Sequence, residues 1–132
     1  MIRVNLESSV SLEDQIRQQI RQAIARGEVR AGDSLPPVRQ LAGDLGIHWN
    51  TVARAYRRLR DEGLLVVGRG RGVTVRKSSR PERKIDPEAR ARVQEKLCEA
   101  IVEARIAGLT SASLKRLVLQ ELNSWGEARK GG

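Results

Sequence analysis

The sequence predicts a mainly α-helical fold with one small β hairpin. Three observations predict it. Apolar residues recur at spacings of three and four in five separate stretches, as one face of a helix requires. Two short β-prone runs, "LLVV" and "VTV", flank the glycine-rich "GRGRG" of residues 68–72. Phe is absent and only two Trp and one Tyr occur, so the core must be built from Leu, Val, Ile and Ala.

The first helix follows from Leu12, Ile16, Ile20, Ala23 and Ile24, which form one stripe. Ser11 suits its N-cap, Glu13 and Asp14 suit its first turn, and Gly27 suits its end. "RAGDSLPP" then carries turn chemistry. A short second helix is opened by Pro37 and runs through "VRQLAGDL", with Leu41, Ala42 and Leu45 inward and Gly46 at its end. A third begins near Trp49 and buries Val52, Ala55, Tyr56 and Leu59. The hairpin follows.

Residues 77–85 read as a linker that lacks apolar periodicity. Asp86 and Pro87 then open a fourth helix with Ala89, Val93, Leu97, Ile101 and Ala104 on one stripe. "AGLTS" breaks it. A fifth helix from about Ser111 carries Leu114, Leu117, Val118, Leu122 and Trp125. The chain thus divides into residues 1–76, a linker at 77–85, a helical segment at 86–126 and a flexible tail at 127–132.

Charge assigns a partner to the first part. Lys and Arg number 25 against 16 Asp and Glu, a net charge of +9. Residues 1–85 hold 17 basic and 9 acidic residues, whereas residues 86–132 hold 8 and 7. A basic first part with a nearly neutral tail points to a polyanion as the partner of the first. One cysteine excludes an internal disulfide framework and fits a reducing compartment. No stretch is apolar enough for a membrane helix and no secretory signal is visible, so the expected location is the cytoplasm.

Two consecutive helices joined by a tight turn, the second rich in Asn, Thr and Arg, form a helix-turn-helix pattern. The major groove of B-DNA admits one α-helix, and residues near that helix's start reach base edges. Asn50, Thr51, Arg54 and Arg57 lie opposite the buried stripe. Asn bonds adenine in two places, and Arg does so with guanine. Arg69, Gly70 and Arg71 fall at the hairpin tip, where glycine lets a backbone approach a DNA strand closely. One set of arginines is therefore expected in the major groove and the other on the flanking backbone.

With these residues in view, "LPPVRQLAGDLGIHWNTVARAYRRLRDEGLLVVGRGRGVTV" resembles the winged-helix DNA-binding domain of the GntR family of bacterial transcription regulators. The resemblance covers about residues 8 to 76. The two-helix tail is similar to that of the YtrA-like subfamily, whose members carry a short helical dimerisation segment. The full expectation is a winged helix-turn-helix followed by a two-helix dimerisation segment. The resemblance implies that Arg39 contacts phosphate or bases, that Asn50 and Thr51 open the recognition helix, and that Arg69 to Gly72 form the wing. His48 and Trp49 depart from the family pattern, which has a small polar cap and then a proline or polar residue. Histidine is a poorer cap than Ser or Asn. Trp49 is placed either on a thymine methyl or sugar edge or over the turn itself.

Other chemistry finds little support. His48, the single histidine, reads as a turn residue rather than a metal ligand. Cys98 lies beside the fourth helix's apolar stripe and is expected to be a buried, inert thiol. No nucleophile–base pair or phosphate loop is present, so no enzyme activity, cofactor or metal is expected. Val93, Leu97, Ile101, Leu114, Leu117, Val118, Leu122 and Trp125 are too many apolar groups for two lone helices to bury, so a homodimer is expected. It would bind a palindromic operator with half-sites about 10 base pairs apart, most simply as a repressor. The alternatives are a winged-helix protein-interaction module and a sequence-neutral DNA-binding protein.

Overall fold

The computed structural model describes residues 2–68, 72–76 and 86–130, with side chains as far as Trp125. Two compact units divide the chain near Lys77.

The first unit contains α1 (Leu12–Arg26), β1 (Ser34–Leu35), α2 (Val38–Leu45), α3 (Trp49–Asp61), β2 (Leu65–Gly68) and β3 (Gly72–Val75). Each helix starts and stops where its local chemistry requires. The Ser11 side chain accepts the Asp14 amide at the start of α1, and Gly27 closes it. Gly46 ends α2 at φ +69°, a left-handed turn that a side chain would strain. That turn reverses the chain between α2 and α3.

The core is aliphatic, as the composition requires. Ile16, Ile20 and Ala23 of α1, Leu41 and Ala42 of α2, and Val52, Ala55, Tyr56 and Leu59 of α3 meet Leu35, Leu65, Val73 and Val75 of the sheet. Leu12 and Ile24 are partly buried, and Leu45 packs at the core's edge.

The sheet is three-stranded, in the order β1-β3-β2, where the sequence predicts two strands. Ser34 and Leu35 pair antiparallel with Thr74 and Val73, which buries Leu35. A two-residue strand has no periodicity of its own, so the turn residues around it conceal it. β2 and β3 pair antiparallel from Leu65–Val75 to Gly68–Gly72.

A further element has no counterpart in the sequence reading. The segment before α1 is held by two glutamines one turn apart. Gln19 accepts the Arg3 amide and Gln15 accepts the Asn5 amide, at 2.9 and 2.8 Å. The Gln15 side chain also donates to the Asn5 and Val10 carbonyls. These amides do the work of a strand's backbone, and Ile2 and Val4 thereby pack on the core.

The second unit contains α4 (Pro87–Ile106) and α5 (Ser111–Lys130) as far as Glu127. The Asp86 side chain caps α4 by accepting the Glu88 amide, and Thr110 Oγ1 accepts the Ser113 amide at the start of α5. One expectation is corrected here, and one element runs further than the spacing predicts. Helix α5 continues to Lys130. Glu, Ala, Arg and Lys propagate a helix well enough to carry it past Gly126. Cys98 is exposed rather than buried, because no described residue of this unit covers its side of α4.

Candidate nucleic-acid interface

Helix α3 presents two chemically opposite faces. Val52, Ala55 and Leu59 are fully buried and Tyr56 is 1% exposed. Arg54 and Arg57 are exposed on the other side, and Asn50 and Thr51 are half-buried in the first turn. A 3.6-residue period puts 50, 54 and 57 on one line, 180° from the buried stripe.

His48, Trp49 and Arg39 are brought together at the start of this helix. His48 is the N-cap: its Nδ1 accepts the Asn50 amide at 3.1 Å. Its ring stacks beside Trp49, with centroids 5.7 Å apart and planes 26° from parallel. The Arg39 guanidinium, from α2, lies 5.0 Å from the centre of the Trp49 ring, within cation–π range. Trp49 therefore contacts both His48 and Arg39 and remains 42% exposed. Arg69, Gly70 and Arg71 lie outside the described residues; the strands that lead to them close on the Gly68–Gly72 pair.

Beside α3 lies a network that the sequence does not disclose. Glu13 of α1 accepts Arg54 Nε on one oxygen at 3.0 Å and Arg58 Nη1 on the other at 2.9 Å. The same Arg58 nitrogen reaches Asp14 Oδ1 at 2.7 Å. Arg17 bonds Glu62 at 2.9 Å, at the far end of α3. Burial alone would raise the Asp14 carboxyl, but hydrogen bonding with Ser11 and Arg58 and the charges of Arg58 and Arg17 hold it below its ordinary value. The hydrogen bond to Glu13, opposed by burial and aided by Asp14, holds the Arg58 guanidinium above its ordinary value. In the sequence, Glu13 and Asp14 register only as acids in a first helical turn. Their partners lie more than 40 residues away, and no local pattern points to them.

The exposed face thus offers one amide, Asn50, and two guanidinium groups in different states. Arg57 forms no ion pair among the described residues. Arg54 is tethered by Nε alone. Among the described residues no three His, Cys, Asp or Glu side chains group as metal ligands, and no helix is long and apolar enough to cross a membrane.

The geometry has relatives. Residues 12–75 match the model of "Bacterial regulatory proteins, gntR family". The HTH-type transcriptional repressor YtrA of Bacillus subtilis is 30% identical over 125 residues, covering 95% of this chain and 88% of that one. The solved structure of YtrA from Sulfolobus acidocaldarius, a GntR-family transcription factor, is 33% identical with a TM-score of 0.57, covering 81% of this chain and 98% of that one. A Listeria monocytogenes transcriptional antiterminator shares the fold at a TM-score of 0.76 and 23% identity, over 92% of this chain and 89% of that one.

Proposed function

The chain belongs to the gntR family of bacterial regulatory proteins, and from that premise we propose that it is a DNA-binding transcription regulator that represses by occupying a palindromic operator as a homodimer. The family is one of regulators rather than enzymes.

One observation carries the reading. Asn50, Arg54 and Arg57 on the exposed line of α3 are groups that bond base edges or phosphates, on a helix whose other face is fully committed to the core. A helix about 10–12 Å across fits a groove about 12 Å wide. Asn50, Thr51, Arg54 and Arg57 are assigned to the major groove. Arg39, His48 and Trp49 sit at its edge. Arg69, Gly70 and Arg71 are assigned to the flanking backbone from the sequence alone.

The second unit supports the dimer. Val93, Leu97, Ile101, Leu117, Val118 and Leu122 are each between 39% and 64% exposed in a single chain. Leu97, Ala100 and Ile101 of α4 face Leu114, Val118 and Leu119 of α5 across an open apolar groove. Leu114, Leu122 and Trp125 continue it. A surface this apolar is a cost in water unless another surface covers it, and a second copy covers both at once. Repression follows from the name of the Bacillus subtilis relative. A regulator of bacterial genes works in the cytoplasm.

Footprinting on the DNA upstream of the protein's own gene, with gel shifts at two salt concentrations, tests the reading. Protection of one palindrome, lost steeply as salt rises, is the expected result. Equal retention of every fragment would favour sequence-neutral binding. Retention of none would leave the protein-interaction module.

A further inference from the structure

Arg54 uses only one of its two bonding edges within the protein. Its Nε donates to Glu13 Oε1 at 3.0 Å. The terminal Nη1 and Nη2 form a second edge, a planar fork of donors. No described residue bonds that fork, and the side chain is 51% exposed. Glu13 is the less exposed partner, with a side chain 21% exposed. Its other oxygen is held by Arg58, which is itself anchored on Asp14.

We propose that Glu13 is a positioning residue for base recognition: it grips Arg54 by the Nε edge and turns the Nη1/Nη2 fork outward, set to bond O6 and N7 of a single guanine. The inference rests on the DNA-binding reading above and deepens it. Bidentate guanine recognition needs two parallel donors. A free arginine offers them either side-on, through Nε and Nη2, or end-on, through Nη1 and Nη2. With Nε occupied, only the end-on geometry remains. A long side chain also loses rotamer freedom when it binds, and a tethered one has lost much of it beforehand. Arg57, which is exposed on the same line, lacks such a tether among the described residues and keeps its rotamer freedom until it binds.

A competing physical account has the opposite sign. A carboxylate beside a DNA-binding helix can act as a rival for the arginine. Its removal would then strengthen binding to every duplex.

The full chain is compared with Glu13→Gln, Arg54→Ala and the double variant. Each selects from a pool of randomised duplexes. Each is then titrated with the duplex that the wild type prefers, with the same duplex carrying adenine in place of the guanine that Arg54→Ala ceases to select, and with random duplex. The wild type is expected to prefer guanine by on the order of 10-fold at that position. Glu13→Gln should lose several-fold of this preference with no loss of affinity for random duplex, and should add nothing in the Arg54→Ala background. In the free protein, the Arg54 Nε–H resonance should be resolved in the wild type and lost in Glu13→Gln, which checks the contact without DNA.

Full guanine preference in Glu13→Gln overturns the proposal, as does equal tightening on preferred and random duplex. So does an Arg54→Ala variant that selects the same motif as the wild type; in each of these cases the DNA reading survives. A wild type that retains no duplex at any salt removes the DNA reading, and Glu13's role with it.

Discussion

His48 Nδ1 accepts the Asn50 amide at 3.1 Å, so the helix assigned to the major groove begins under an imidazole cap. The bond needs an unprotonated Nδ1, because a ring with both nitrogens protonated has no acceptor. It satisfies one of the four amides that a helix start leaves without partners.

Replacing His48 with Ala removes that acceptor. The expected loss lies toward the lower end of the about 0.5–2 kcal/mol that a Ser, Thr, Asn or Asp cap contributes, and His48→Ser should recover it or exceed it. Urea unfolding followed by circular dichroism measures both. An alanine variant with the wild-type midpoint would mean that the cap contributes nothing.

Tyr56 governs the alkaline limit of stability. It is 1% exposed, and its hydroxyl donates to the Pro36 carbonyl at 2.7 Å. Burial pushes its pKa up to about 12, against 10.0 for an ordinary tyrosine. The folded state therefore holds the phenol proton more tightly than the unfolded state. That contribution, on the order of 2 kcal/mol, is fully present below about pH 10 and is lost as pH rises towards 12. Tyr56 is the single tyrosine, so tyrosinate absorbance reports it alone. Its titration should coincide with alkaline unfolding. Tyr56→Phe should lose about 0.5–1.5 kcal/mol near neutrality and show a flatter stability curve above pH 10. A tyrosinate signal that rises at pH 10 in the folded protein would contradict the burial argument.

The groove of the second unit should fail when charge is placed in it. Leu97→Glu with Val118→Glu puts two carboxylates into a groove whose walls are mostly apolar, with Arg105 and Lys115 as its only basic lining residues among those described. Sedimentation equilibrium should give twice the 14.7 kDa chain mass for the wild type and the single mass for the variant. Operator affinity should fall by 10²-fold or more, because the second half-site contact is no longer intramolecular. Thermal unfolding of the first unit should change little. A variant that remains dimeric would place the subunit contact elsewhere.

Much of the fold was legible because its signals are local. The α1 stripe with Ser11 and Gly27 at its ends, the buried set Val52, Ala55, Tyr56 and Leu59, and the Asp86–Pro87 start of α4 each occupy a few consecutive turns. Capping and amphipathicity depend on neighbours in sequence, so spacing reveals them. Cys98 misled because position beside a stripe is not burial; burial needs a second surface.

The amino-acid sequence alone determined the order of the elements, which face of α3 is apolar, the basic bias of the first 85 residues and the resemblance to a family. Those are properties of composition and periodicity, which hold before the chain folds. Tertiary structure alone decided that Leu35 joins β3, that Gln15 and Gln19 hold the leading segment, and that Arg39 lies over Trp49. It also decided that Glu13 takes the Nε edge of Arg54 and leaves the fork free. Each of these joins residues that are ten or more positions apart. Such a contact depends on how α1, α2, α3 and the sheet pack, and a short-range spacing rule carries no information about packing.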